Sequence, residues 1–92
     1  MKVRISEPAD ADLDAILLRI FADRPRSAER MFLRLLTAIE GLKDFPLAGR
    51  PTSSGDRELV TVRPYVVQYS VSAGFVDILR IWHGAQDRSS GD

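Results

Sequence analysis

The stretch that decides the fold runs from Arg57 to Ala85. It reads Arg57-Glu-Leu-Val-Thr-Val-Arg-Pro-Tyr-Val-Val-Gln-Tyr-Ser-Val71, then Ser72-Ala-Gly74, then Phe75-Val-Asp-Ile-Leu-Arg-Ile-Trp-His-Gly-Ala85. β-branched and aromatic residues dominate it, and Arg63-Pro64 and Ala73-Gly74 divide it into three runs of strand length. The pattern predicts a three-stranded antiparallel meander. In the middle run Tyr65, Val67, Tyr69 and Val71 share one face, and Val66, Gln68 and Ser70 share the other. In the last run strict alternation puts Phe75, Leu79 and Ile81 on one side and Val76, Ile78 and Trp82 on the other, so both faces are apolar. The same stretch holds the only histidine and the only tryptophan, and both tyrosines.

Upstream, Lys2 to Ser6 alternates, with Val3 and Ile5 on one side, as a short strand with one buried face does. Glu7-Pro8 opens a helix, because proline suits a first turn and the aspartates after it complement the positive end of the helix dipole. Leu13, Ile16, Leu17 and Ile20, with Ala9, form its apolar stripe, and Leu18 lies off it. Arg24-Pro25-Arg26-Ser27 separates this helix from a second, for which Ser27 reads as the N-cap. The second stripe is Ala28, Phe32, Leu35, Ile39 and Leu42, with Leu33 on the opposite side. A connection this short makes the two helices an antiparallel hairpin. Asp44-Phe45-Pro46 ends it, and Leu47 to Asp56, rich in Gly, Pro, Ser and Thr, reads as a loop.

Ninety-two residues with 45% hydrophobic content make one globular domain, residues 1–92. There is no cysteine, hence no disulfide framework and no thiolate metal site. Neither a signal-peptide pattern nor a window of membrane-spanning length is present, so a soluble, cytoplasmic protein is expected. Formal net charge is zero, which argues against a life of bulk attraction to nucleic acid. Lysine occurs only at Lys2 and Lys43, and the remaining cations are arginines, suited to forked contacts with carboxylate or phosphate.

Chemistry has few candidates. His83, the residue type suited to acid–base work, ends the last strand, but a lone histidine supports no metal site. No Gly-rich phosphate loop, no nucleophile elbow and no paired-carboxylate site is visible, and no cofactor or metal is expected. Arg57 and Arg63 share strand parity with Leu59 and Thr61, and Arg80 lies close to His83. Tyr65 and Tyr69 could stack bases, but their alternation with valines favours a core role. A small sheet apolar on both faces, with Leu18 and Leu33 outside their stripes, calls for a protein partner.

The chain resembles the RelE/ParE superfamily of toxins from bacterial type II toxin–antitoxin systems, the ParE branch in particular. The resemblance rests on Ala11-Asp12-Leu13-Asp14-Ala15-Ile16, Phe45-Pro46-Leu47-Ala48-Gly49-Arg50, Arg57-Glu58-Leu59, Pro64-Tyr65-Val66-Val67-Gln68-Tyr69 and Ile78-Leu79-Arg80-Ile81-Trp82-His83-Gly84-Ala85, in that order. It implies an α+β fold of βααβββ order, a helix hairpin packed on a small antiparallel sheet that the N-terminal strand joins. It also implies a cognate antitoxin, ParD-like or other, in a hetero-oligomer. On this reading Leu18, Leu33, Phe75 and Trp82 are the candidate antitoxin contacts. ParE-like toxins are associated with inhibiting DNA gyrase by binding, for which Arg57, Arg63, Arg80 and His83 are the candidate target contacts. No sequence-specific contact with nucleic acid by the chain alone is expected. The alternative is a RelE-like ribosome-dependent mRNA endoribonuclease using His83, Arg57 and Arg63. Val66 and Gln86 stand against it, each where a family arginine is commonly found. A third reading is a non-toxic module that retains antitoxin docking and co-repression.

Overall fold

The computed structural model of the chain describes residues 1–84. Its elements are β1 (Lys2–Ile5), α1 (Glu7–Asp23), α2 (Pro25–Gly41), β2 (Arg50–Pro51), β3 (Arg57–Leu59), β4 (Tyr65–Ser72) and β5 (Phe75–His83). The strands form one sheet in the order β1-β5-β4-β3-β2. The meander is antiparallel, as its sequence predicts, and β1 adds in parallel beside β5, which makes the sheet mixed. Beside the sheet lies the helix hairpin, and the core forms between them.

Local chemistry explains the helices. The Ser6 hydroxyl accepts the Ala9 N–H at 3.2 Å, Pro8 sits in the first turn, and Glu7 and Asp10 face the positive helix end. α1 ends at Arg24, and Pro25 starts α2 immediately, so one residue makes the hairpin turn. This corrects the expected cap. α2 begins two residues before Ser27, with Arg24 at its N-cap and no side-chain hydrogen bond there, because Pro25 can occupy a first position without a missing N–H. The stripes hold: Ala9, Leu13, Leu35, Ile39 and Leu42 meet Leu59, Val67, Tyr69, Val76, Ile78 and Ile81 in one buried cluster. β1 is drier on paper than in space, since Val3 is half-buried but Ile5 remains 41% exposed.

Strand faces needed a second correction. Tyr69 pairs with Ile78 and Gln68 with Arg80, so Leu79 is an extra residue in β5. That bulge reverses the parity of the strand. Val76, Ile78 and Ile81 therefore all enter the core, where strict alternation had put Ile81 opposite the other two. The β4–β5 turn is two residues, Ala73 at φ 40° and Gly74 at φ 87°, the paired positive dihedrals a tight hairpin requires. The loop after α2 is also less plain than its composition suggests, because Arg50 and Pro51 pair with Glu58 and Arg57 as β2.

Candidate functional site

Three surfaces present the residues that could act. The first is at the C-terminal end of β5. Among the described residues no strand pairs with the β5 edge beyond Ile78, the partner of Ile5, and the start of α1 supplies substitutes. The Ser6 hydroxyl donates to the Leu79 carbonyl at 3.1 Å, and the Asp12 carboxylate accepts the Ile81 N–H at 2.9 Å. The same carboxylate takes a forked pair of bonds from Arg80, 2.7 Å from Nε and 2.9 Å from Nη2. This bonding raises the Arg80 pKa above its ordinary value, the hydrogen bond contributing more than the charge. Next to it lies a cleft of about 170 Å³ between α1 and the sheet, lined by Asp12, Arg19, Tyr65, Trp82 and His83 among others. Tyr65 and His83 are opposite each other on β4 and β5, their rings edge to face at 5.4 Å between centroids.

The second is the segment from Phe45 to Gly49, held from beneath by Tyr69. The fully buried Tyr69 hydroxyl donates to the Pro46 carbonyl at 2.8 Å and accepts the Gly49 N–H at 2.7 Å. A Cβ on Gly49 would stand 2.6 Å from that hydroxyl, so only glycine fits. Arg57 closes the segment from the other side, its Nη1 donating to the Gly49 carbonyl at 2.7 Å and reaching the Leu47 carbonyl at 3.4 Å. Phe45 and Leu47 face outward, 71% and 65% exposed.

The third is an apolar groove on the hairpin, of about 550 Å³. Leu17, Leu18, Phe21, Ala28 and Phe32 line it, with Asp14, Arg26 and Glu29 at its margins. Leu18 and Phe21 are 70% and 58% exposed, a large apolar area for a soluble surface.

These positions sort the residues singled out from sequence. Arg57 binds loop carbonyls and Arg80 binds Asp12, while Arg63 is exposed in the loop after β3. β3 ends at Leu59, so the parity that aligned Arg57 with Arg63 does not extend to Arg63. Arg57 is in register with Tyr69 and His83 with Tyr65, which sets them about 13 Å apart along β4. Arg57 and His83 are therefore not gathered at one point, whereas Arg63 precedes Pro64, whose carbonyl accepts the Gly84 N–H next to His83. Tyr69 is core, as the alternation favoured, and Tyr65 is half-buried. Of the candidate antitoxin contacts, Leu18 lines the large groove. Leu33, 56% exposed, lines a separate depression of about 350 Å³ with Arg34, Thr37, Ala38, Thr61 and Val62. Phe75 and Trp82 are half-buried on β5, and the Arg4 guanidinium covers the Phe75 ring at 3.7 Å. Arg4 also bonds Asp77 at 2.6 Å and 3.0 Å, and this hydrogen bonding holds the Asp77 carboxyl below its usual range. Gln86 lies outside the described residues. Among the described residues no group of three or more His, Cys, Asp or Glu side chains could hold a metal ion. No described helix is long and apolar enough to cross a membrane.

Sequence reasoning missed the Tyr69–Gly49–Pro46 bonds and the role of Asp12. The signal for the first was present in Phe45-Pro46-Leu47-Ala48-Gly49, where a glycine follows a helix stop by a fixed interval. Asp12 carried none, since it reads as one more acid in an acidic first half of a helix.

A two-helix hairpin against a short mixed sheet is an α+β arrangement shared with a known class of proteins. Compared with solved structures, the chain superposes on one described as "Chromosomal ParDE TA system from P. aeruginosa". The TM-score is 0.80 at 28% identity, covering 90% of this chain and 95% of that one. Residues 3–88 match the family described as the ParE toxin of the type II toxin–antitoxin system parDE. The chain belongs to that toxin family. Among its relatives is Toxin RelE2 of Caulobacter vibrioides, 47% identical over 76 residues, which span 83% of this chain and 86% of the relative. Toxin RelE1 of the same organism is 29% identical over 89 residues, 94% of this chain and 96% of the relative.

Proposed function

We propose that this toxin acts in the cytoplasm by binding DNA gyrase, without chemistry of its own, and that an antitoxin segment seated in the hairpin groove neutralises it. The family supports an antitoxin partner, and the structural relative is a toxin–antitoxin system by its own description. The observation that carries the binding reading is the engagement of the sheet arginines. Arg57 and Arg80 are committed to internal acceptors, and His83 is separated from Arg57 along the strand. A ribonuclease needs an activating base and a phosphate clamp within one substrate's reach, and the separation of His83 from Arg57, with Arg80 held by Asp12, argues against that geometry. Arg63, with Phe45 and Leu47 on the pinned segment, offers exposed side chains to a protein target, and His83 lines the neighbouring cleft.

The groove suits an amphipathic helix whose apolar residues recur at helical spacing, seated against Leu18, Phe21 and Phe32. Placing a charge in it should oppose that docking. Leu18→Glu with Phe21→Glu leaves the core untouched and should lower antitoxin affinity at least tenfold in a titration calorimeter while growth arrest persists. Unchanged affinity would remove the antitoxin from this groove. Induced expression separates the targets: gyrase inhibition gives relaxed plasmid with intact transcripts. Transcript cleavage abolished by His83→Ala would establish the ribonuclease instead.

A further inference from the structure

The second helix carries a charge pattern that its own stability does not explain. Arg26, Arg30 and Arg34 recur at four-residue intervals on α2, and all three are exposed. Like charges at this spacing are neighbours on a helix surface and repel. Arg26 is in the first turn, which has no acidic residue, at the positive end of the helix dipole. Local preference would place acids there. Nor is the repulsion relieved by pairing: among the described residues no carboxylate lies within 4.0 Å of any of the three. Three other arginines are paired, Arg4 with Asp77, Arg50 with Glu58 and Arg80 with Asp12. A row kept against local stability points to a ligand that repays it.

Helix geometry fixes its shape. Steps of four residues rise about 6 Å and turn about 40°, so the three guanidinium groups spring from a span of about 12 Å within an arc of about 80°. Arg30 and Arg34 each lie about 160° around the helix from Phe32, which lines the apolar groove. A partner filling the groove therefore leaves Arg30 and Arg34 open, while Arg26 stands at the groove's margin. On its far side the flank borders the depression where Thr37 and Thr61 carry hydroxyl donors, and exposed Arg63 follows Val62 at its rim.

We infer that this flank of α2 binds the phosphate backbone of duplex DNA. A polyanion fits, since three guanidinium groups offer only donors and the two neighbouring hydroxyls can donate as well. It must reach a convex helix face rather than a pocket, and it must leave the apolar groove free. A stiff duplex meets a rigid row of cations without losing conformational freedom, whereas an acidic peptide or a single strand must be ordered on binding. The contacts are to backbone and carry no base sequence. The chain's net charge of zero is no obstacle, because four of its thirteen acids are in the first half of α1, and of the two on α2 only Glu29 lies beside the row. This inference stands apart from the gyrase and antitoxin readings, since it concerns the chain alone and a different face.

The test is fluorescence anisotropy of the purified chain with a labelled 20-base-pair duplex of mixed sequence, from 50 to 200 mM NaCl. Three phosphate contacts give a slope of log K against log salt of about −2.7, and Arg30→Gln with Arg34→Gln should make it shallower by about 1.8. Binding at 50 mM salt should weaken by about two orders of magnitude. Arg30→Lys with Arg34→Lys should retain most of it. The glutamine variant should melt no lower than the parent, because two like-charge contacts are removed, so a lost fold is distinguished from a lost contact. No anisotropy change at 100 µM protein would overturn the inference, as would an unchanged salt slope in the glutamine variant. Tighter binding to a single strand, to RNA of equal length or to polyglutamate would assign the flank to that ligand instead.

Discussion

Tyr69 shows at a single residue how the candidate surface is built. Its ring fills the core while its hydroxyl satisfies two backbone groups of the Pro46–Gly49 segment. Tyr69→Phe keeps the ring and leaves the Gly49 N–H and the Pro46 carbonyl without their partner. Such orphaned groups cost about 1–3 kcal/mol, so denaturant unfolding should record a loss of that size. Gly49→Ala should cost a comparable amount, about 1–3 kcal/mol, because the added methyl meets the Tyr69 ring and the Glu58 carbonyl, neither free to move far. The two losses should not add, since both release the same segment. A Tyr69→Phe variant as stable as the parent would show that the segment is held by other means. Neither residue can be replaced on this account without disturbing how Phe45 and Leu47 are presented.

At the scale of elements, one ion pair across the sheet makes the attachment of β1 sensitive to pH. β1 is attached to β5 through Arg4, which bonds Asp77 and stacks on Phe75. The Asp77 carboxyl titrates below its usual range because Arg4 bonds the ionised form. A depressed folded pKa contributes stability that is present above the unfolded pKa, about 3.9, and disappears as pH falls through the folded value. Thermal melts between pH 7 and pH 2 should therefore fall more steeply below about pH 4 for the parent than for Asp77→Asn. Identical acid profiles would mean that the pair contributes nothing, as many surface pairs do. Element order and type were legible in the sequence because periodicity and turn residues speak locally. The stripes on both helices, the breaks at Arg63-Pro64 and Ala73-Gly74, and the exposure of Leu18 and Leu33 all follow from that. The bulge at Leu79 was not legible. Its signal is a change of strand parity, visible only once β4 supplies a register. The start of α2 was misplaced for a related reason, since Ser27 is a good cap and only the proline at position 25 competes with it.

Across the whole molecule, the functional surfaces are divided by direction. Helix α1 lies between the apolar groove on one side, where Leu18 and Phe21 stand, and the Asp12–His83 cleft on the other. The arginine flank of α2 and the pinned Phe45–Gly49 segment occupy further faces. Leu18, Arg57, Arg80 and His83 were legible along the chain, but Asp12, Phe21, Phe45, Leu47 and the α2 arginine row were not, nor was the separation of the surfaces. Arg57, Arg63, Arg80 and His83 look like one cluster when read along the chain, and become three environments when register and ion pairs are known. That dispersal is what favours binding over cleavage. The most direct test is a supercoiling assay with purified gyrase, relaxed plasmid and ATP, titrated with the purified toxin. The account predicts that supercoiling is lost near equimolar toxin, with linear or nicked DNA trapped, and that added cognate antitoxin restores it. Normal supercoiling at stoichiometric excess of toxin would contradict the central claim.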